Sequence, residues 1–297
     1  MSSMTQTNGS EKPPVRQNRF HTSETAWCPG CGDYNILAAL KEVLDELDLE
    51  PHNVLVVGGI GQAAKTAQYI NANGFCGLHG RALPPAVAAK MVNPNLTVII
   101  DSGDGDSYGE GGNHFIHNIR RNVDITHFVH DNQIYGLTKG QASPTSEMGH
   151  VTHVQTAGSA NIPMNPLLTA LAMGAGFVAR GYSADKAQLA ELMKQAILFR
   201  GYALVDILQP CISFNKINTF QWYRSRVYHL DESHDMTNLP AAMVKSMEWG
   251  DKIPTGILYQ VQKPVWPNHI PHLREGPTLV DRPVNKGAIR ALLADFE

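Results

Sequence analysis

The sequence has few cysteines and no large excess of one charge. Its 297 residues include 4 cysteines, 24 lysines and arginines, and 27 aspartates and glutamates, which gives a net charge of −3. A chain so nearly neutral shows no electrostatic sign of nucleic acid or another polyanion as a partner. Because there are so few cysteines, a role can be considered for each one.

The sequence also lacks a long apolar run. No stretch is long enough to span a bilayer, so we expect no membrane association. The first 19 residues are polar and have no apolar centre of the kind that a signal peptide contains. We therefore expect a flexible tail over residues 1–19 and a cytoplasmic location.

The remaining composition is that of a globular protein, with 43% hydrophobic and 17% charged residues. The length suffices for one large α/β domain, alone or with an appendage. Beyond Arg226 the composition shifts towards Pro, His and Asp. We expect a main domain over residues 20–226 and a C-terminal extension over residues 227–297 that packs on this domain or on a partner.

Two apolar segments in the middle of the chain have the character of buried parallel strands. Residues 97–100 and 125–129 each end in a polar, turn-forming segment, and residues 112–121 between them suit a crossover helix. Strand, helix and strand in this order place both polar ends at the carboxyl edge of one sheet, where open α/β folds bind ligands. We predict an α/β fold with a mainly parallel sheet and helices on both faces.

The polar ends carry oxygen ligands. Asp104 presents a carboxylate between Gly103 and Gly105, which let the backbone approach a ligand, and Asn132 presents an amide oxygen. Together with the main-chain carbonyl of Ile134, these groups are hard ligands suited to Mg²⁺ bound to a phosphate. The alternative is two ordinary strand-to-loop turns, because Asp, Gly and Asn are turn formers.

The cysteines give a second signal. Cys28 and Cys31 form a Cys-x-x-Cys pair, and Cys211 follows the apolar strand pattern of residues 203–208, which puts it at the same sheet edge if that strand is parallel. No second Cys-x-x-Cys exists, which argues against a zinc ribbon. With Cys76, the count fits the four thiolates of a [4Fe–4S] cluster. A structural role for buried cysteines stays open.

These motifs resemble a known family. Gly103-Asp104-Gly105 followed by Asn132 resembles the motif that binds thiamin diphosphate and Mg²⁺. In more detail, residues 103–106, 111–114, 131–132 and 134–141 resemble the β subunit of the 2-oxoacid:ferredoxin oxidoreductases, with the resemblance running from about Trp27 to Tyr259. It implies that Asp104, Asn132 and the Ile134 carbonyl hold the Mg²⁺.

The resemblance also implies contacts with the cofactor and the substrate. Lys65 and Lys139 would contact the 2-oxoacid, and His79 and Arg81 lie in a His-Gly-Arg segment that the family has near the cofactor. Lys139 stands where relatives favouring pyruvate have a small residue, so it offers a second positive charge for 2-oxoglutarate. The expected cofactor-binding residues are Gly58, Gly59, Ile60, Gly61, Gly103, Asp104, Gly105, Asp106, Asn132, Ile134, Tyr135, Gly136, Leu137 and Thr138.

The chain departs from the family at one cluster ligand. By resemblance, Cys28 and Cys31 are the first two ligands and Cys211 is the last. Many relatives have their third ligand cysteine where this chain has Gln62. We expect Cys76 to take over that position. If it does not, the cluster has an unusual ligand or is missing.

The implied reaction is a CoA-dependent oxidative decarboxylation of a 2-oxoacid, or the reverse carboxylation, with electrons passing through the cluster to ferredoxin. The family's pyrimidine-activating glutamate belongs to a separate domain that this sequence lacks, so we expect an α subunit as partner, in an α2β2 assembly. Three alternatives stay open. They are a non-redox thiamin decarboxylase or synthase subunit with a structural metal, a pyruvate or branched 2-oxoacid specificity, and a zinc-holding regulatory subunit.

Overall fold

The structure is a computed structural model that describes residues 19–22 and 24–296. Apart from Arg19, the tail expected over residues 1–19 lies outside the described residues. The α-helices are α1 Asp33–Glu46, α2 Leu83–Val92, α3 Gly112–Arg121, α4 Pro166–Ala172, α5 Lys186–Leu198, α6 Phe220–Arg224, α7 Leu239–Met247, α8 Pro271–Arg274 and α9 Lys286–Ala294. The strands are β1 Val54–Gly58, β2 Asn73–Cys76, β3 Thr97–Gly103, β4 Ile125–Asp131, β5 Ile134–Tyr135, β6 Gln141–Ala142, β7 Phe177–Tyr182, β8 Tyr202–Leu208, β9 Val227–His229 and β10 Ile253–Gln260.

In the described part of the chain, eight strands form one sheet in the order β2-β1-β3-β4-β8-β7-β10-β9. The six strands from β2 to β7 run parallel, and β10 pairs antiparallel with β7. The register pairs Gly103 with His130 and Asp131 with Leu208, so β3, β4 and β8 end side by side. The mainly parallel sheet predicted from the apolar runs is confirmed.

Helices cover both faces of this sheet. Helices α1 and α5 pack on one face, where residues such as Leu40 and Met193 meet Phe128 of β4. Helices α2, α3, α4 and α7 supply the other face, where Phe115 and Leu167 meet the opposite side chains of the strands. Each central strand is buried on both sides, which explains why its sequence is a continuous apolar run and not an alternating one.

The segment that follows β1 packs tightly against this strand. The segment forms a short 3-10 helix, Ala63–Gln68. The small side chains Ala63, Ala64 and Ala67 are buried there, and a Cβ atom at Gly58 would lie 2.5 Å from the carbonyl oxygen of Ala64. This close approach to β1 holds the segment in a tight turn.

The C-terminal region contributes to the same sheet. Strands β9 and β10 extend it beyond β7, and helix α7 packs on α4. Among residues 19–22 and 24–296, no helix has both the length and the apolar character needed to cross a membrane.

Candidate active site

The structure brings Asp104 and Asn132 to one edge of the sheet. Asp104 directly follows β3 and precedes a short π-helix, Gly105–Glu110, while Asn132 directly follows β4. The hydroxyl oxygen of Thr145 lies 2.6 Å from Asp104 Oδ2 and 2.8 Å from Asp131 Oδ1, and this bridge ties the ends of the two strands together. The juxtaposition predicted from the two strand ends is therefore present.

Asp104 lies in a site that favours a cation. It is 1% exposed, and its Oδ2 accepts hydrogen bonds from Ser143 at 2.5 Å and from Thr145. Burial raises the pKa of Asp104 and raises that of Asp131 well above its usual value. A divalent cation would stabilise the ionised forms of these neighbouring buried carboxylates. The donor set thus fits a Mg²⁺ ion held by Asp104, Asn132 and the Ile134 carbonyl.

Asp106 connects three loops around the site, and we call this carboxylate the Asp106 anchor. Its Oδ1 accepts from the backbone N–H of Ile60 at 2.9 Å and of Gly80 at 2.7 Å, and lies 2.7 Å from His79 Nδ1. The close approach requires glycine at position 59, because a Cβ atom there would lie 2.0 Å from Asp106 Oδ2. The glycine-rich turn after β1 is therefore fixed to the loop that carries Asp104.

His79 and Tyr135 share a second acidic partner. His79 Nε2 lies 3.6 Å from Glu110 Oε2, and the Tyr135 hydroxyl donates to the same oxygen at 3.0 Å. Arg81 donates to the backbone carbonyl of Glu110 at 3.3 Å. Gly105 lets the Tyr135 ring pack close, since a Cβ atom there would lie 2.2 Å from Tyr135 Cε1. The sequence-predicted cofactor loops thus contact one another through side chains.

Three of the four cysteines line one cavity, which we call the cysteine cavity. It is bounded by Trp27, Cys28, Cys31, Asp33, Gln62, Asn132, Gly136, Gln209, Cys211, Ile212, Ser213 and Phe214. Within residues 24–296, Cys76 does not line it. Cys76 ends β2 at the outer edge of the sheet, where its exposed Sγ accepts from Gln68 Nε2 at 3.7 Å. The structure thus brings Cys28, Cys31 and Cys211 together and leaves Cys76 apart, so its role as a ligand stays a prediction.

The cavity walls supply polar partners for sulfur. Gln209 Nε2 donates to Cys31 Sγ at 3.4 Å, Cys31 Sγ donates to Asp33 Oδ2 at 3.3 Å, and the Ser213 hydroxyl donates to Cys28 Sγ at 3.2 Å. No three His, Cys, Asp or Glu side chains of the described residues converge on a point as the ligands of one metal ion do. Cluster thiolates each bind a different iron, so a [4Fe–4S] group does not require such convergence.

Two buried histidines of β4 differ in charge. His130 lies between two buried carboxylates, with Nδ1 2.7 Å from Asp33 and Nε2 2.7 Å from Asp101. Burial alone lowers the pKa of His130, but Asp101 and Asp33 raise it to about 10. His127, on the opposite face of the strand, contacts the hydroxyls of Tyr202 and Ser107 instead, and burial lowers its pKa to about 3. At neutral pH His130 is a cation and His127 is neutral.

The two lysines assigned to the substrate occupy different settings. Lys65 is half-buried in the 3-10 helix Ala63–Gln68. Lys139 is exposed in the loop between β5 and β6 and has a φ of 76°, in the left-handed region. Its loop includes the predicted residues Gly136, Leu137 and Thr138, and Gly136 packs near Cys211 Sγ.

Several residues of the site were not predicted from the sequence. Ser143 and Thr145, which hold Asp104, come from the loop after β6, and Gln209 joins Asn132 to Cys31. The Asp33–His130–Asp101 set was also missed. One signal was available for it, since Asp33 directly follows the Cys-x-x-Cys-Gly segment and His130 stands at the polar end of a buried strand.

Comparison with known families agrees with this geometry. Residues 57–207 match the family model for the C-terminal TPP binding domain of thiamine pyrophosphate enzymes. Residues 211–275 match the model for the C-terminal part of the pyruvate ferredoxin oxidoreductase beta subunit. The first match contains Asp104 and Asn132, and the second begins at Cys211.

Individual relatives extend the match. Subunit beta of 2-oxoacid:ferredoxin oxidoreductase 2 from Aeropyrum pernix is 46% identical over 244 residues, which are 78% of this chain and 79% of the relative. The 2-oxoglutarate oxidoreductase subunit KorB of Mycobacterium tuberculosis is 42% identical over 69% of this chain and 55% of its own length. A chain of the 2-oxoglutarate:ferredoxin oxidoreductase from Magnetococcus marinus, solved with 2-oxoglutarate, coenzyme A and succinyl-CoA bound, superposes with a TM-score of 0.87 at 35% identity, covering 94% of this chain and 97% of that one. The chain belongs to the β subunits of the 2-oxoacid:ferredoxin oxidoreductases.

Proposed function

We propose that this chain, with an α subunit, catalyses the CoA-dependent oxidative decarboxylation of 2-oxoglutarate and the reverse carboxylation, with ferredoxin as electron partner. Thiamin diphosphate, when bound, supplies the carbon nucleophile that attacks the 2-oxo group. Asp104, Asn132 and the Ile134 carbonyl would hold its Mg²⁺, and the Asp106 anchor orients the loops around it. Cys28, Cys31 and Cys211 would hold an iron–sulfur cluster.

The observation that carries this proposal is that the proposed Mg²⁺ site and the cysteine cavity share the residue Asn132. Asn132 lines the cysteine cavity, and Asn132 Nδ2 donates to Gln209 Oε1 at 3.0 Å while Gln209 Nε2 donates to Cys31. A single side chain therefore spans from a Mg²⁺ ligand to a cysteine. Such proximity favours electron transfer between cofactor and cluster over a structural metal at the cysteines.

The test is one activity assay on the assembled complex. With CoA and a low-potential acceptor, 2-oxoglutarate, pyruvate and branched 2-oxoacids are compared, and iron and acid-labile sulfide are measured on the same sample. We expect 2-oxoglutarate to give the highest kcat/KM and iron to be present. A complex that decarboxylates 2-oxoacids but holds zinc or no iron is the non-redox alternative.

The substrate preference is assigned to Lys139. We expect Lys139→Asn to lower kcat/KM for 2-oxoglutarate by roughly 10- to 100-fold more than for pyruvate, because a charge-assisted hydrogen bond contributes about 1.5–3 kcal/mol. Asparagine is chosen because it tolerates the left-handed backbone of this position. Steady-state kinetics with both substrates measure the split, and Lys286→Asn on α9 is a control. Equal losses for both substrates would contradict the assignment.

The chain without an α subunit should have very low activity. Exposed apolar side chains surround the cofactor loops, with Leu78 76%, Ile60 40% and Leu137 41% exposed. We assign these exposed side chains to the surface that the α subunit covers. Without the glutamate that the α subunit would supply, we expect turnover about 100- to 10,000-fold lower than in the complex, even with thiamin diphosphate, Mg²⁺, substrate and CoA present. Comparable activity of the isolated chain would refute the two-subunit proposal.

A further inference from the structure

Besides Cys28, Cys31 and Cys211, several polar residues line the cysteine cavity, and Gln62 is one of them. The backbone at this point is fixed, because the indole N–H of Trp27 donates to the Gln62 carbonyl at 2.9 Å. Trp27 is itself held edge-on between Tyr34 and Tyr69, with ring centroids 5.5 and 5.0 Å away. Gln62 is therefore held at the cavity by a packed aromatic group.

The side-chain oxygen of Gln62 has no hydrogen-bond partner within the described part of the chain. This Oε1 atom is buried. A buried acceptor without a partner is costly, and each such atom in a native protein requires an explanation, such as a bound ion or water. Here the unpaired oxygen belongs to a residue that lines the same cavity as three cysteines.

Cys76 is poorly placed to be a fourth ligand at this cavity. It lies on β2, and the sheet order puts β2 four strands away from β8, whose end carries Cys211. At about 4.8 Å per strand, this separation is roughly 19 Å across the sheet. Gln62 follows β1, one strand closer, and lines the cavity directly.

On these grounds, and resting on the proposed function, we infer that three cysteine thiolates and the side-chain oxygen of Gln62 hold the cluster, and that Cys76 is not a ligand. Three irons then have anionic sulfur ligands, while the fourth has a neutral oxygen ligand. Neutral amide oxygen binds iron more weakly than thiolate does. The cluster also carries one negative charge less than a four-cysteine cluster, which makes it easier to reduce.

This ligand set predicts that the iron bound by Gln62 is lost more easily than the other three. When ferricyanide removes one electron from the [4Fe–4S]²⁺ state, the resulting [4Fe–4S]³⁺ cluster releases the oxygen-bound iron as Fe²⁺ and leaves [3Fe–4S]⁺. Charge and iron balance in this step, and ferricyanide is the only oxidant it needs. Four thiolates would retain all the irons under the same mild treatment.

The experiment compares the wild-type complex with Cys76→Ser, Gln62→Cys and Cys28→Ser after anaerobic reconstitution with iron and sulfide. Iron content and EPR spectra are recorded before and after one equivalent of ferricyanide. We expect wild type and Cys76→Ser to behave alike, falling from about four irons to about three with a [3Fe–4S] signal. Gln62→Cys should keep about four irons and show a lower reduction potential. Cys28→Ser should fail to assemble the cluster. This loss would show that the measured iron is bound at the cysteine cavity.

Two results would overturn the inference. Cys76→Ser could lose the cluster where wild type keeps it, or Gln62→Cys could lose iron as readily as wild type. If Gln62→Cys folds poorly, Gln62→Glu serves instead, because an anionic carboxylate should also retain the fourth iron better than the amide. Iron in none of the proteins would overturn both this inference and the cluster of the proposed function. A cluster that behaves as expected in a complex without 2-oxoacid turnover would overturn only the proposed function.

Discussion

Asp104→Asn is expected to abolish thiamin diphosphate retention and turnover in the assembled enzyme. The substitution keeps the size of the side chain but removes the only carboxylate among the three proposed Mg²⁺ ligands. Loss of groups that merely support a metal ligand costs about 10- to 100-fold in metal affinity, so loss of the ligand itself should exceed about 100-fold. Cofactor content of the purified complex and turnover with 2-oxoglutarate measure the effect.

The neighbours of Asp104 provide a graded comparison. Thr145→Val and Ser143→Ala each remove one hydroxyl that donates to Asp104 Oδ2. Each should weaken cofactor binding by about 10- to 100-fold and leave turnover recoverable at high thiamin diphosphate and Mg²⁺. Asp251→Asn, at an exposed site, should change neither quantity. If Asp104→Asn retained full cofactor content, the assignment of this sheet edge would be wrong.

The second large effect concerns stability. His130→Leu should destabilise the fold by about 3–5 kcal/mol, because it leaves the buried carboxylates of Asp33 and Asp101 without their shared cation. For a chain of this size, the thermal unfolding midpoint of the complex should fall by roughly 10 °C. Differential scanning calorimetry on the complex measures the shift.

His127 is the matched control, because it is fully buried on the same strand. Its ring is neutral and its partners are hydroxyls, so His127→Gln should cost only about 1–3 kcal/mol. The triple variant His130→Leu, Asp33→Asn, Asp101→Asn should be more stable than His130→Leu alone, since it removes the unpaired charges. Equal losses for His127→Gln and His130→Leu would show that charge at His130 does not matter.

The pairing of Asp104 with Asn132 could be predicted because parallel strands impose it. Two apolar runs joined by one crossover helix have their carboxyl ends at the same edge, whatever the loops do. Cys211 could be placed by the same reasoning, from the strand that precedes it. For these residues, the position directly after a strand was enough to predict a place at the carboxyl edge of the sheet.

The remaining contacts depend on loop paths, which periodicity does not determine. Ser143 and Thr145 reach Asp104 only because the loop after β6 returns over the sheet edge. Cys76 looked near Gln62 along the sequence, yet β2 pairs on the outer side of β1 and carries it away from the cysteine cavity. Counting cysteines along the sequence could not predict on which side of β1 each of them would lie.

The Asp106 anchor has a consequence for motion. The amide hydrogens of Ile60 and Gly80 belong to different loops but share one carboxylate oxygen as acceptor. Neither loop can open fully without breaking a bond at that oxygen, so the two amides should exchange with deuterium at similar, slow rates, as one opening unit. Asp106→Asn should accelerate both exchange rates together, and the glycine-rich turn would then fluctuate independently of the His79 loop.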